Sequence, residues 1–370
     1  MEKIGIFGGT FDPVHKEHIN LAKAAIDELK LDKLIVVPSF ISPHKADKKT
    51  ADSIHRLNMC RLAFGFDTKI IVSDFEIKKE GKSYSYLTVE HFAKEYANAK
   101  LFFIVGADMF IDFKNWKNPE IILKYSTLTV VRREKQIKNI KNAVNEFNNL
   151  FNNRINVLKY IGGDASSTKV RRLCCLKQNL DKYVTENVAD YIKQNNLYND
   201  SICDDVKSYI SEKRFNHTVG VVELAVKYAD KFNVEQEKAF YSALLHDIAK
   251  GHETEFNNNF SADVPFAVYH QYLGAEIAKN KFMIEDEEIL NAIKYHTTGR
   301  ANMSNLEKLI FVADMLEEGR DFKGVNSLRK LLNKPDLCFK KCLEKQYRFL
   351  LLGKKQIYNL TINAYQYYCN

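Results

Sequence analysis

The fold of the first half is decided by the stretch GIFGGTFDPVHKEHI, residues 5–19. A short β-rich run leads into the glycine pair Gly8 and Gly9, and a segment with helical spacing follows. Glycine lacks a Cβ and lets the backbone approach a phosphate, and the first N–H groups of a helix have no partner within it. Ligands of open parallel sheets bind at such turns. We therefore predict a phosphate-binding turn that includes Thr10 and Phe11.

Outward from this turn, the first half alternates β-rich runs with amphipathic helical patterns. The β-rich runs are residues 4–7, 33–38, 70–73, 101–105, 128–132 and 156–160. Strands separated by helices are typical of βαβ units on a parallel sheet whose two faces are both covered. The pattern predicts an α/β domain of the Rossmann type.

The second half has no comparable β-rich run. Its apolar residues recur at helical spacing, as in Val219, Val222, Leu224, Ala225 and Tyr228, so we predict an all-α domain. The turn-rich segment NNLYND follows a predicted last helix, Glu186–Gln194. We therefore expect two domains, residues 1–198 and 199–370.

Composition limits the class of protein. The chain has 370 residues, 45% of them hydrophobic, which is enough for two buried cores. Its net charge of +8 comes mostly from dispersed lysines, so we expect a solvated surface and no nucleic-acid partner. No run reaches the roughly 18 apolar residues of a membrane span. The seven cysteines include no C-x-x-C pair, so we expect reduced thiols in a cytoplasmic protein without a membrane partner.

Two histidines at the start of the first helix are the first catalytic candidates. His15 and His18 are three residues apart and share a helix face. Neither has to act as a nucleophile, because phosphoryl and nucleotidyl transfer depend mainly on positioning and charge stabilisation. An isolated pair would more often be one capping and one core histidine, but here the whole G-G-T-F-D-P-x-H-x-x-H run is present.

This run resembles the T/HxGH signature of the nucleotidyltransferase superfamily, in the form found in nicotinate-nucleotide adenylyltransferases. Further family landmarks follow in register: VPSFISPHK (37–45), RLNMCRLAF (56–64), SYSYLT (83–88), FIVGADMFIDFKNW (103–116), VVRR (130–133) and DASSTKVR (164–171). The resemblance implies that ATP and nicotinate mononucleotide are converted to the dinucleotide and pyrophosphate, with Mg²⁺ on the phosphates.

The resemblance also implies roles for individual residues. Gly8, Gly9, Thr10 and Phe11 would bind ATP or substrate, as would Arg133. The residues implied around the ATP phosphates are His15, His18, Lys45, Ser166, Ser167, Thr168 and Arg171, with Gly106 and Asp108 near the nucleotide. Trp116 would stack on the pyridine ring, and Ser85 would meet the nicotinate carboxylate. Glu17 departs from the family glycine; because its carboxylate would repel phosphate, we expect it to face solvent or the backbone to differ.

The second half carries a set of metal-ligand residue types. These are His217, the adjacent pair His246 and Asp247 in LLHDIAK, His270, His296 and Asp314. Imidazoles mixed with carboxylates suit Fe, Mn or Zn better than calcium. We predict one or two transition metal ions, with iron favoured and Asp247 as the natural bridge between two ions that hold a phosphate.

The order of these residues resembles the HD phosphohydrolase superfamily. The wording RFNHTVGVVELA, ALLHDIAK, YHQYLGAEIA, AIKYHTTGR, LIFVADMLEEGR and FKGVNSLRK is similar to that of symmetrical bis(5′-nucleosyl)-tetraphosphatases. The resemblance implies hydrolysis of a dinucleoside polyphosphate, diadenosine tetraphosphate, to two ADP. Lys250, as a catalytic residue, and Arg300 are the candidates for phosphate contacts.

Several alternatives stay open at this point. The first domain could prefer nicotinamide mononucleotide or phosphopantetheine as the acceptor, although the Trp116 context disfavours phosphopantetheine. The second domain could be a nucleotide-sensing module with little turnover. A basic RNA-binding protein would show steeply salt-dependent binding, but no stacking-aromatic motif supports it. A homo-oligomer is also left open.

Overall fold

The computed structural model describes residues 1–43, 50–133, 137–151, 155–163, 165–254 and 264–369. The chain divides into two compact units, Met1–Asn199 and Asp200–Asn370. Lys45, a predicted phosphate ligand, lies outside the described residues, as does the side chain of Arg133.

The first unit is built on a six-stranded sheet. All five neighbouring strand pairs run parallel, in the order β3-β2-β1-β4-β5-β6. The strands are β1 (Lys3–Gly9), β2 (Lys33–Pro38), β3 (Ile70–Val72), β4 (Lys100–Gly106), β5 (Ser126–Arg133) and β6 (Asn156–Gly162). Each predicted β-rich run coincides with one strand, so the predicted parallel α/β sheet is confirmed.

Helices cover both faces of this sheet. They are α1 (Lys16–Leu29), α2 (Ser53–Phe64), α3 (Phe75–Lys79), α4 (Ser85–Glu95), α5 (Ala107–Ile111), α6 (Pro119–Tyr125), α7 (Ile137–Phe151), α8 (Ser167–Cys175) and α9 (Glu186–Gln194), with a 3-10 turn at Phe113–Asn115. Successive strand side chains point to opposite faces. Phe7 therefore belongs to one buried cluster with α1 and α2, and Ile6 to the other.

The second unit is helical throughout its described residues. Its helices are α10 (Ser201–Tyr209), α11 (Glu212–Tyr228), α12 (Gln236–Leu245), α13 (Tyr269–Asn280), α14 (Glu287–Tyr295), α15 (Asn305–Leu316), α16 (Val325–Arg329), α17 (Pro335–Leu352) and α18 (Asn359–Cys369), with 3-10 turns at Ala229–Phe232 and Phe266–Val268. Helices α11, α12, α14 and α15 pack against one another, and α13 packs on α14. The prediction of an all-α second half is confirmed.

Two further expectations can be compared with the structure. Within the described residues, none of the helices combines the length and the apolar character that crossing a bilayer requires. The expectation of reduced thiols is wrong for Cys175 and Cys203, which are disulfide-bonded, whereas the other five cysteines are free. Pairing depends on how closely two sulfur atoms approach in the fold, and spacing along the chain does not reveal that.

Candidate functional site

The first candidate site lies at the carboxyl edge of the parallel sheet. β1 ends at Gly8 and Gly9, and β4 ends at Gly106, which is the N-cap of α5. A Cβ at Gly8 or at Gly106 would meet no atom within 4 Å, so both main-chain segments face open space where a ligand can approach. Phe11 then takes a left-handed conformation with φ 50°, which turns the chain toward α1.

The two predicted catalytic histidines stack at the start of α1. Their ring centroids lie 3.7 Å apart, and the main-chain N–H of His15 donates to Nδ1 of His18 at 3.2 Å. This bond places the proton of a neutral His18 ring on Nε2, the nitrogen that can donate to a phosphate oxygen. His15 is only 3% exposed, whereas His18 is half-buried. His18 is therefore the member of the pair that solvent and ligands can reach.

Helix α8 is joined to the loop that leads into α1. Its N-cap Ser166 accepts from the N–H of Lys169, and the Ser167 hydroxyl donates to the carbonyl of Pro13 at 3.0 Å. Arg171 donates to the carbonyl of Asp12 at 2.6 Å. These contacts bring the predicted phosphate ligands of the DASSTKVR segment beside the turn, where the helix N-terminus favours negative charge.

Asp12 and Arg56 hold the same loop by hydrogen bonds. Neither residue was predicted to have a role. The Asp12 carboxylate accepts from the Ala51 N–H and from the Tyr198 hydroxyl at 2.9 Å. Burial and this carboxylate raise the pKa of Tyr198, so its hydroxyl stays a donor. Arg56 is 1% exposed and donates to four main-chain carbonyls. The acceptors are those of Thr10, Ser39, Phe40 and Ala51.

Trp116 and Ser85 are the two residues that were predicted to contact the nicotinate group. Trp116 is half-buried, with its ring centroid 5.3 Å from that of Phe113 and 6.2 Å from that of Phe103. Ser85 is the first residue of α4. The preceding segment is anchored because the Ser83 hydroxyl accepts from the Phe40 N–H at 2.9 Å. Stacking of the pyridine ring on Trp116 stays a prediction.

Glu17 does not face open solvent. Its carboxylate is half-buried and accepts from the Tyr160 hydroxyl at 2.7 Å and from the Gly163 N–H at 2.6 Å. Burial opposes ionisation of Glu17, but these hydrogen bonds outweigh it and lower the pKa of the carboxyl group. The negative charge of Glu17 is therefore stabilised by hydrogen bonds from the end of β6 and from the loop after it.

The second candidate site is a cluster of histidines and aspartates drawn from different helices of the second unit. His217 lies on α11, His246 and Asp247 follow α12, His270 lies in the first turn of α13, His296 follows α14 and Asp314 lies on α15. Three groups of three meet the geometry of a metal site, the ligand atoms of each lying within 4.8 Å of one another. They are His217, His246 and Asp247; His246, His296 and Asp314; and Asp247, His270 and His296.

Three of the imidazoles are oriented by a partner on Nδ1. In His246 and His296 this nitrogen donates to the main-chain carbonyl three residues earlier, at 2.7 Å in both cases. In His217 it contacts the Glu317 carboxylate at 3.1 Å. Histidine ligands of metals commonly have such a partner, which fixes the tautomer that leaves Nε2 as the ligand atom. The Nε2 atoms of all three rings face the aspartates.

Asp247 lies between two halves of the cluster. Its Oδ2 is 3.6 Å from Nε2 of His246 and 3.9 Å from Nε2 of His217. Its Oδ1 is 3.4 Å from Nε2 of His296 and 3.7 Å from Nε2 of His270. Asp314 completes the first half, with Oδ1 at 2.9 Å from His217. One carboxylate thus presents one oxygen to each half, as a bridging ligand does.

The protonation states suit metal binding. Burial lowers the pKa of His246 to about 4, and burial together with His296 and Lys250 lowers that of His270 to about 3. Burial opposes the charge of Asp247, but the surrounding histidines outweigh it and hold its pKa well below its usual range. For Asp314, burial is likewise outweighed, by His217 and His246. At neutral pH the rings of His246 and His270 are therefore neutral and both aspartates are ionised, as metal ligands must be.

The cluster fits a transition metal on an independent ground. Nε2 of His246 is buried and has no hydrogen-bond partner among the described residues, which is costly for a polar atom unless a ligand satisfies it. Mixed nitrogen and oxygen donors suit iron, manganese or zinc. In the described part of the first unit no such group is found.

The two predicted phosphate contacts of this unit differ in their surroundings. Nζ of Lys250 lies 3.1 Å from Nδ1 of His270, at the edge of the cluster. Arg300 instead makes two 2.8 Å hydrogen bonds to the Glu307 carboxylate and stacks on Tyr295. A phosphate contact of Arg300 stays a prediction, and it would compete with this ion pair.

Three residues to which the sequence analysis gave no role contact the cluster. Arg214 lies 2.6 Å from Asp247, Arg320 lies 2.5 Å from Asp314, and Glu317 contacts His217. Both arginines stand in quoted motifs, RFNHTVGVVELA and LIFVADMLEEGR. Their position in those motifs was the available signal, but only the fold shows which acids they meet.

Comparison with known proteins assigns the chain to a family. A model described as cytidylyltransferase-like matches residues 6–173, and an HD domain model matches residues 214–319. A protein of Mycoplasma genitalium named "Probable nicotinate-nucleotide adenylyltransferase/Ap4A hydrolase" is 31% identical over 329 residues, which cover 86% of this chain and 88% of that protein. The chain belongs to this bifunctional family. The expected pair of enzymes, a nucleotidyltransferase followed by an HD hydrolase, is thereby confirmed.

Other relatives match one part of this chain each. A "Probable nicotinate-nucleotide adenylyltransferase" of Clostridium tetani is 37% identical over 199 residues, 54% of this chain and 100% of that protein. A solved structure from Clostridium acetobutylicum, described as a "predicted HD superfamily hydrolase involved in NAD metabolism", is 34% identical and covers 45% of this chain and 94% of its own, with a TM-score of 0.42.

Proposed function

We propose that residues 1–198 transfer the adenylyl group of ATP to nicotinate mononucleotide. A 5′-phosphate oxygen of the mononucleotide attacks the α-phosphorus, the bond to the β-phosphate breaks, and deamido-NAD and pyrophosphate form. Names of the relatives support the substrates. The observation that best supports this proposal is the open space at the carboxyl edge of the sheet beside Gly8 and Gly106, with His18 and the start of α8 next to it.

In this reaction the residues of the chain mainly bind and stabilise charge. The Nε2–H of His18, the N–H groups at the start of α8 and the hydroxyl of Thr168 would hold the phosphates while negative charge moves onto the leaving group. Arg171 would add a guanidinium beside them. Mg²⁺ bound to the ATP would neutralise part of the remaining charge.

The transferase proposal is tested on the full chain with ATP, Mg²⁺ and either nicotinate or nicotinamide mononucleotide. We expect pyrophosphate and deamido-NAD from the nicotinate substrate and a far slower reaction with the amide. Ser85→Ala should narrow this preference, because a hydroxyl can donate to a carboxylate. Equal rates with both mononucleotides in the unaltered protein would refute the acceptor assignment.

We further propose that residues 199–370 hydrolyse diadenosine tetraphosphate to two ADP. Water attacks one of the two central phosphorus atoms, and the bridge between them breaks. Two transition metal ions, with iron favoured over manganese or zinc, would be held by His217, His246, Asp247 and Asp314 on one side and by Asp247, His270 and His296 on the other. Such ions supply an activated water and neutralise phosphate charge. The bridging position of Asp247 carries this proposal.

The hydrolase test separates catalysis from nucleotide sensing. Full-length protein loaded with Fe²⁺, Mn²⁺ or Zn²⁺ is incubated with diadenosine tetraphosphate, and ADP is measured. We expect turnover that Asp247→Ala abolishes and Asp336→Ala, a change at a surface carboxylate that is 88% exposed, leaves intact. Binding without turnover in every metal form would favour the sensing module instead. For both activities we propose a cytoplasmic location.

A further inference from the structure

Two arginines contact the carboxylates that the hydrolase proposal assigns to metal. Nη1 of Arg214 lies 2.6 Å from Oδ2 of Asp247, and Nη2 of Arg320 lies 2.5 Å from Oδ1 of Asp314. The side chain of Asp247 is 5% exposed and that of Asp314 is 21% exposed, whereas the two arginine side chains are 31% and 39% exposed. Each guanidinium therefore belongs to the more solvent-exposed member of its ion pair.

Local structure fixes the backbone from which each arginine extends. Arg214 is in the first turn of α11, where its N–H donates to the N-cap hydroxyl of Ser211 at 3.3 Å. Arg320 ends the turn after α15, and Arg329 donates to its carbonyl at 2.8 Å. Because both backbones are anchored, the guanidinium groups can change partner by rotation of their side chains alone.

Among the described side chains that contact the cluster, the formal charges balance in this arrangement. Three carboxylates, those of Asp247, Asp314 and Glu317, face three cationic side chains, those of Arg214, Arg320 and Lys250. A divalent ion on either aspartate would repel the guanidinium that now occupies the same oxygen. The ions would also leave the cluster with excess positive charge, which an anion with several charges would offset.

We propose that Arg214 and Arg320 are phosphate-binding residues of the hydrolase site. When the cluster binds metal, each guanidinium exchanges its carboxylate for phosphate oxygens of the substrate. The planar guanidinium matches two phosphate oxygens at once, which a lysine does not. Both contacted oxygens, Oδ2 of Asp247 and Oδ1 of Asp314, lie on the half of the cluster that contains His217. The substrate class is therefore a polyphosphate that two arginines hold on that half of the cluster. This inference rests on the proposed hydrolase function and adds two residues to it.

The alternative is that the arginines only hold the aspartates in place for the metal. The two roles predict opposite effects on metal affinity. An arginine whose role is to bind phosphate competes with the metal for the carboxylate, so removal of this arginine leaves Mn²⁺ binding unchanged or makes it tighter. An orienting residue supports the ligand, so its loss weakens Mn²⁺ binding.

The experiment uses the full chain with Arg214→Gln, Arg320→Gln and the two Lys variants, and with Arg348→Gln as a control at an exposed arginine of α17. Mn²⁺ affinity and stoichiometry are measured by electron paramagnetic resonance. Binding of ADP to the Mn²⁺ form is measured by calorimetry, and KM and kcat for diadenosine tetraphosphate by ADP release. Circular dichroism establishes that each variant is folded.

We expect both Gln variants to keep their Mn²⁺, to bind ADP about 10-fold or more weakly and to show a KM raised by a similar factor, since each loses a hydrogen bond between charged partners. The Lys variants should recover part of this loss, and Arg348→Gln should behave as the unaltered protein. Weaker Mn²⁺ binding with unchanged ADP affinity in the loaded form would overturn the inference. If the unaltered chain binds ADP but does not cleave diadenosine tetraphosphate, the hydrolase proposal fails while the ADP measurement still tests the arginines.

Discussion

Substitution of Arg56 by lysine tests whether this side chain stabilises the loops of the transferase site. The guanidinium donates four hydrogen bonds to main-chain carbonyls, at 2.6–2.9 Å. A lysine ammonium keeps the charge but reaches about two of these acceptors from one nitrogen. Hydrogen bonds from charged donors contribute about 1.5–3 kcal/mol each, so the loss of two should destabilise the unit by about 3 kcal/mol or more.

Tryptophan fluorescence can measure the unfolding of the first unit. Trp116 is the only tryptophan and lies in the first unit, so its fluorescence during urea unfolding reports that unit within the intact chain. A loss of about 3 kcal/mol should lower the urea midpoint by about 1 M. The KM for ATP should rise as well, because the carbonyl of Thr10 is among the acceptors.

Arg61 provides the matched control on the same helix. It is 51% exposed and makes a single 3.7 Å ion pair with Asp74, so Arg61→Lys should change stability by less than about 1 kcal/mol. If Arg56→Lys and Arg61→Lys unfold at the same urea concentration and share the KM of the unaltered protein, the assigned role of Arg56 is wrong.

Three further predictions concern both units. In metal-free protein the pKa values of His246 and His270 are near 6.5 in the unfolded chain and near 4 and 3 in the folded chain. The unfolded chain therefore binds more protons, so the free energy of unfolding of the second unit should fall as the pH drops from about 6.5 toward 4, by about 1 kcal/mol per pH unit for each ring. Amide hydrogen exchange in α12 and α13 would detect this loss of stability. Trp116→Ala should raise the KM for nicotinate mononucleotide about tenfold because the stacking contact is lost, whereas Trp116→Phe should keep most of the stacking and change KM little. Steady-state kinetics in which both variants keep the KM of the unaltered protein would contradict stacking. Glu17→Gly should raise the KM for ATP because the loop after β6 loses its acceptor, with a smaller effect from Tyr160→Phe, and equal kinetics in all three proteins would argue against that role.

The fold was predictable because its signals are local. Strands buried on both faces, such as β1 and β4, are continuous apolar runs, and they alternate with helical periodicity in a way that few architectures allow. The helix Glu186–Gln194 was predicted with the bounds that the structure has. The gathering of His217, His246, Asp247, His270, His296 and Asp314 was predictable as well, because their residue types and order are characteristic.

The parts that escaped prediction depend on long-range approach. Arg56 meets carbonyls from two loops, and Arg214 meets Asp247, which is 33 positions further along the chain. The hydrogen bonds of Glu17 to β6 join residues about 140 positions apart. The disulfide-bonded state of Cys175 was missed for the same reason, since chain spacing does not show which sulfur atoms approach.

The central claim is that two separate pockets each bind and transform their own polyphosphate. Its most direct test measures both reactions in the full chain of His18→Ala and of Asp247→Ala. The account predicts that His18→Ala loses dinucleotide synthesis and cleaves diadenosine tetraphosphate at the unaltered rate, and that Asp247→Ala does the reverse. Loss of both reactions in either folded variant would contradict it.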